Sequence, residues 1–197
     1  MNLKIILQKI ESDSLSLKKQ RDIANSLFVK LTGKNIKHSQ TGRPVLNQSI
    51  DVSISHKNDL ICIGAVNSPY KIGIDIEHIN TSFNAELFFG SVITKIEIPF
   101  LKIFCKDNNL SLSSAIAIFW SIKESFFKCL DYDLKPGKIN ILNISKKNKV
   151  RIDCSNEIKY LMKKRKLEFC FTKSTFDKDN IYSHTIMKKY LLNSYPQ

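Results

Sequence analysis

Nine residues, "KIGIDIEHI" (Lys71 to Ile79), restrict the fold of this chain more than any other stretch. Side chains alternate across a strand, so Ile72, Ile74 and Ile76 share one face while Gly73, Asp75 and Glu77 share the other. The isoleucines demand burial, whereas Asp is depleted from strands. Carboxylates at i and i+2 stand about 7 Å apart at roughly 3.3 Å of rise per residue. At that spacing they repel, which raises one pKa unless a cation stands between them. Magnesium takes such oxygens, typically one or two carboxylates together with waters and a substrate phosphate. Gly73 has no side chain, so a ligand is expected to approach the backbone beside the acids. A wet edge strand would show the same alternation.

A second segment, "FWSIKESFFKCL", places Trp120, Glu124 and Lys128 at i, i+4 and i+8 on one helical stripe, with Lys123 flanking. Ile116, Phe119, Ile122, Phe126 and Phe127 cover much of the remaining circumference, and a helix apolar nearly all round is a buried one. A charged Glu in that setting is costly unless paired or bound to metal. Glu124 is therefore either half of an intrahelical pair with Lys128 or a third carboxylate joining Asp75 and Glu77.

Periodicity predicts a helix from near Ser14 or Ser16 to Gly33, and strands at "VSISH", "LICIGAV" and "YKIGIDIEHI". A short helix is expected over Thr94–Asp107, with Pro99 awkward for its first turns, and a long one over residues 112–131. Strands "INILNIS" and "KVRID", the charged helix "NEIKYLMKKRK" and strands "LEFCFT" and "IYSHTIMKKYLL" complete the chain. The class is α+β, with mostly antiparallel sheets.

No apolar run nears the roughly 20 residues that span a bilayer, and the start lacks the features of a signal peptide. Five scattered cysteines, odd in number and without a CxxC pair, argue for reduced thiols and against disulfides or zinc. A cytoplasmic protein with no membrane partner is expected. Of the 197 residues, 1–133 carry 16 basic and 13 acidic side chains, whereas 134–197 carry 15 and 5. Such a field attracts polyanions: nucleic acid, an anionic membrane, phosphorylated metabolites or an acidic protein. A nucleic-acid module needs aromatics among its basic runs. "KKNKVR" has none, and three clustered acids repel a phosphate backbone.

Two further signals suit an anionic ligand. "SISH" (Ser53 to His56) ends a strand with Ser55 and His56, both able to hydrogen-bond phosphate, and "TGRPVL" holds Arg43 in a constrained turn. Together "GRP", "SISH", "IGIDIE" and "WSIKESFFK", in that order, resemble the 4′-phosphopantetheinyl transferases of the surfactin-synthetase-activating type. Arg21 and Lys30 match a basic pair on that family's first helix.

The resemblance implies two similar lobes about a pseudo-twofold axis, residues 1–68 and 69–197, each a small, mostly antiparallel sheet packed on a long helix. Coenzyme A would lie in the cleft between them. The implied enzyme is a monomer that moves the phosphopantetheine arm of coenzyme A onto a serine of an acidic acyl or peptidyl carrier protein, releasing adenosine 3′,5′-bisphosphate. It further implies Mg²⁺ on Asp75, Glu77 and Glu124, with Glu124 activating the serine and Asp75 and Lys128 completing the catalytic set. Lys123 and Lys128 would face the phosphates. Arg43, Ser55 and His56, with Arg21 and Lys30, would hold the nucleotide. Glu97, in "ITKIE", matches a further family acid, yet Thr94 and Glu97 also form a capping box. The alternatives are a basic nucleic-acid-binding protein and another Mg²⁺-dependent phosphoryl-transfer enzyme.

Overall fold

A computed structural model describes residues 1–9, 17–33, 37–38, 44–45, 49–79, 85–133 and 135–190. The first helix, α1 (Leu17–Thr32), turns Ala24, Leu27 and Phe28 inward and stops where Gly33 takes a φ of 69°, a left-handed conformation easy for glycine. The opening residues form a strand, β1 (Leu3–Lys9), which the sequence reading did not assign. β2 (Lys37–His38) and β3 (Pro44–Val45) make a minimal ladder. The expected hairpin is β4 (Ile50–Lys57) and β5 (Leu60–Asn67), and β1 pairs with β5 to give an antiparallel sheet in the order β1-β5-β4. Val52, Ile61, Ile63 and Ala65 bring one face of this sheet onto α1.

The second sheet contains β6 (Tyr70–His78), β7 (Ile139–Ile144), β8 (Lys149–Cys154), β9 (Leu167–Phe176) and β10 (Asn180–Lys189). Its order is β6-β10-β9-β8-β7, antiparallel throughout. Helix α2 (Ala85–Val92) was not anticipated. Helix α3 (Ile98–Asn108) begins later than the expected Thr94, which puts Pro99 in its first turn, where a missing N–H costs nothing. The long helix α4 (Leu112–Leu130) starts at Ser111, whose Oγ accepts the Ser114 amide at 3.1 Å. Helix α5 (Asn156–Lys164) is capped in the same way by Ser155. The apolar circumference of α4 is buried against Leu101, Phe104 and Ile141 toward its start and Ile158, Met162 and Met187 toward its end. The chain is thus α+β with antiparallel sheets and helices, as the periodicity predicts.

The two sheets meet along β6. Ile72, Ile74 and Ile76 lie on Leu60, Cys62 and Val66 of the smaller sheet. The outward amides of β6 need acceptors, since a buried unpaired N–H is costly. Side chains of β4 supply them: Asp51 Oδ2 accepts from Ile72, Ser53 Oγ from Ile74 and Ser55 Oγ from Ile76, at 2.8, 2.9 and 3.2 Å. A column of alternate side chains thus substitutes for a neighbouring strand.

Candidate active site

The opposite face of β6 lies under α4. A Cβ on Gly73 would collide with the Ser125 carbonyl oxygen and the Cys129 amide. The glycine therefore admits a helix backbone; the expectation that it admits a ligand is corrected, because α4 fills that space. With α4 so close, Asp75 and Glu77 of β6 meet Glu124 of α4, one oxygen of each lying within 4.8 Å of the others. It is the one such metal-competent group among the described residues.

Asp75 is buried, and its Oδ1 accepts from Lys128 Nζ at 2.6 Å and Ser55 Oγ at 3.1 Å. Its Oδ2 is buried without a hydrogen-bond partner. Lys128 also lies 3.4 Å from Glu124 Oε2. Lys57 Nζ lies 2.7 Å from Glu77 Oε2, outside hydrogen-bonding angles, so that contact is an ion pair. Burial, and then the neighbouring Asp75 carboxylate, push the Glu124 pKa from 4.5 up to about 8 against the pull of Lys128. Burial works against the Lys128 charge, yet Asp75 and Glu124 outweigh it and hold the ammonium above its ordinary range. An orphaned carboxylate oxygen and a proton-hungry Glu beside it suit a hard dication with oxygen ligands.

Other expected residues are placed differently. Lys123 is wholly buried, donating to Val92 O, Glu97 Oε2 and Pro136 O at 2.6, 2.7 and 3.0 Å. It does not face the carboxylate cluster: five helical positions turn it about 140° from Lys128 at 3.6 residues per turn. Glu97 stands outside the cluster as well. Its Oε2 accepts the Thr94 amide at 2.8 Å, as a capping box does, and its Oε1 accepts the Ile141 amide at 2.7 Å.

Ser55 is buried beneath Asp75, and His56 is exposed on the alternate face of β4. Lys30 is exposed in the last turn of α1. Arg43 lies outside the described residues, as does the side chain of Arg21. Lys57 was missed, although it is in phase with Ser53 and Ser55 on the strand that ends beside Glu77. That parity was the available signal.

Fold and site define an α+β protein whose two sheets converge on a buried three-carboxylate, lysine-countered centre. The chain belongs to the 4′-phosphopantetheinyl transferase superfamily, whose family model matches residues 71–186, from β6 to β10. The holo-ACP-synthase from Plasmodium yoelii is similar in fold, with 17% identity and a TM-score of 0.50 over 61% of this chain and 95% of that one. An ACPS–CoA complex of Chronobacterium ammoniagenes is similar at 15% identity and a TM-score of 0.51, over 63% of this chain and all, 100%, of that one. No curated protein sequence matches significantly. All five cysteines are free thiols, and no described helix is long and apolar enough to cross a membrane.

Proposed function

We propose that this chain transfers the 4′-phosphopantetheine arm of coenzyme A to a serine of an acyl or peptidyl carrier protein, with Mg²⁺, as a member of the surfactin-synthetase-activating type. The observation that carries the reading is the convergence of Asp75, Glu77, Glu124 and Lys128 on the superfamily's scaffold. The subtype is favoured because one chain supplies both sides of the site: β4 lies outside the matched residues yet seats Ser55 and Lys57 against Asp75 and Glu77. Residues 1–68 and 69–197 are then the two lobes of a monomer, with coenzyme A in the cleft between them.

In this reading Asp75, Glu77 and Glu124 would hold Mg²⁺, which when bound neutralises diphosphate oxygens and polarises the phosphorus. Lys128, a third exposed and anchored on Asp75 and Glu124, presents its ammonium to the charge that develops during displacement. The carrier serine Oγ attacks the pantetheine-side phosphorus in line. The new P–O bond forms as the bond to the bridging oxygen breaks, and adenosine 3′,5′-bisphosphate leaves. Glu124, a quarter exposed, takes the serine proton as a carboxylate, the form that a bound cation favours. Ser55 positions Asp75. Exposed Lys159, Lys163 and Lys164 on α5 offer a basic face to an acidic carrier.

Intact-mass measurement tests the proposal. Incubation with Mg²⁺ and coenzyme A should add one phosphopantetheine to an apo carrier protein. No mass shift on a panel of acyl and peptidyl carriers would overturn it.

A further inference from the structure

Three carboxylates meet at the site, and two lysines counter them in different ways. Lys128 is held by three oxygens, from Asp75 at 2.6 Å, Ser55 at 3.2 Å and Glu124 at 3.4 Å. Lys57 arrives from the end of β4, outside the stretch that matches the family, and lies 2.7 Å from Glu77 Oε2 at an angle that makes no hydrogen bond. Its side chain is 32% exposed, whereas that of Glu77 is 9% exposed. Glu77 is thus a buried anion neutralised by a lysine with an open path to solvent.

We propose that Lys57 is an exchangeable counter-ion: it neutralises Glu77 while no cation is bound, and a divalent cation entering the site must displace it. The inference rests on reading Asp75, Glu77 and Glu124 as a cation site. On Asp75 the Lys128 ammonium takes Oδ1 by a hydrogen bond and leaves Oδ2 open. On Glu77 no hydrogen bond holds Lys57 at Oε2, so repulsion from an arriving dication falls on the more loosely held ammonium. Lys57 can yield, since its four-carbon stem is flexible and its head can reach water. The bound cation therefore replaces an existing charge and does not fill an uncompensated one. Lys57 thereby sets how tightly the site loads.

The test is Mn²⁺ titration of the metal-stripped full chain, without coenzyme A, read by the paramagnetic resonance of free Mn²⁺. Lys57→Met, which keeps the length and removes the charge, should tighten Mn²⁺ binding by about tenfold. Lys57→Gln serves as a second variant and should tighten it likewise. Lys9→Met, which removes a lysine paired 3.5 Å from Asp59 elsewhere, should match wild type.

Wild-type binding with unchanged or weaker affinity in both Lys57 variants overturns the proposal and leaves the cation site standing. Weaker binding would mean that Lys57 orients Glu77. Equal tightening by Lys9→Met also overturns it, as a general charge effect. No Mn²⁺ bound by any of the proteins, wild type included, overturns the cation reading and this inference together.

Discussion

Lys123 Nζ lies 2.7 Å from Glu97 Oε2 with neither side chain exposed to solvent at all. Burial pulls the lysine pKa down, and Glu97 opposes that shift. Lys123→Met would strand a buried carboxylate, so unfolding free energy should drop by about 3–5 kcal/mol in urea titration. Transfer per folded molecule should persist. A folded variant of normal stability that lost transfer would instead put Lys123 in the reaction.

Ser53 is expected to matter through the strand it serves. Its Oγ accepts the Ile74 amide, and both groups are buried. Ser53→Ala leaves that amide without an acceptor, at a cost of about 1–3 kcal/mol. Hydrogen exchange should show the Ile74 amide opening faster while amides between β9 and β10 keep their protection. Unchanged protection at Ile74 would mean that another group supports the β6 edge.

Gly73→Ala should be among the most damaging single-methyl additions in the chain. The new carbon would overlap backbone atoms of Ser125 and Cys129, which cannot rotate aside. Overpacking of this kind costs about 1–3 kcal/mol or more. Displacing α4 also separates Glu124 from Asp75. The melting temperature and Mn²⁺ affinity should fall together, and a variant losing neither would disprove the tight helix–strand contact.

Asp75→Asn keeps the shape and an oxygen for Lys128 and Ser55 while removing the charge. Transfer is expected to fall by at least about a hundredfold, the scale seen when one electrostatic group is removed from a reacting centre. Mn²⁺ binding should weaken in parallel. Near-wild-type transfer by the folded variant would take Asp75 out of the chemistry.

Glu124 ties stability to pH. Its folded pKa of about 8 lies above its ordinary 4.5, so between those values the folded chain holds a proton that the unfolded chain has released. Stability from this group is full below about 4.5 and is lost as pH rises through about 8. The wild-type minus Glu124→Gln difference in unfolding free energy should decline across that window and stay flat below it. Saturating Mg²⁺ should flatten the decline, because a cation favours the carboxylate. A difference independent of pH would mean that Glu124 titrates normally.

Much of this architecture was legible in residue patterns. Alternation in "IGIDIE" set both the strand and its two faces, and the apolar girdle of α4 marked a buried helix. Patterns were weakest where a partner decides. Leu3–Lys9 is half-polar and becomes a strand only because β5 offers it an edge. Gly73 could equally have faced a ligand or a helix, since a missing side chain records only that something comes close.

Periodicity alone determined that Asp75 and Glu77 share a face and that Glu124 and Lys128 share a stripe, because backbone geometry sets which side chains point the same way. It did not separate Lys123 from Lys128, which were both expected at the phosphates. The tertiary structure decided which of these lysines entered the core, which acids met, and that Ser55 and Lys57 came from the other sheet to join them. Contacts between residues far apart in the chain depend on how whole faces pack, and local spacing carries no record of that.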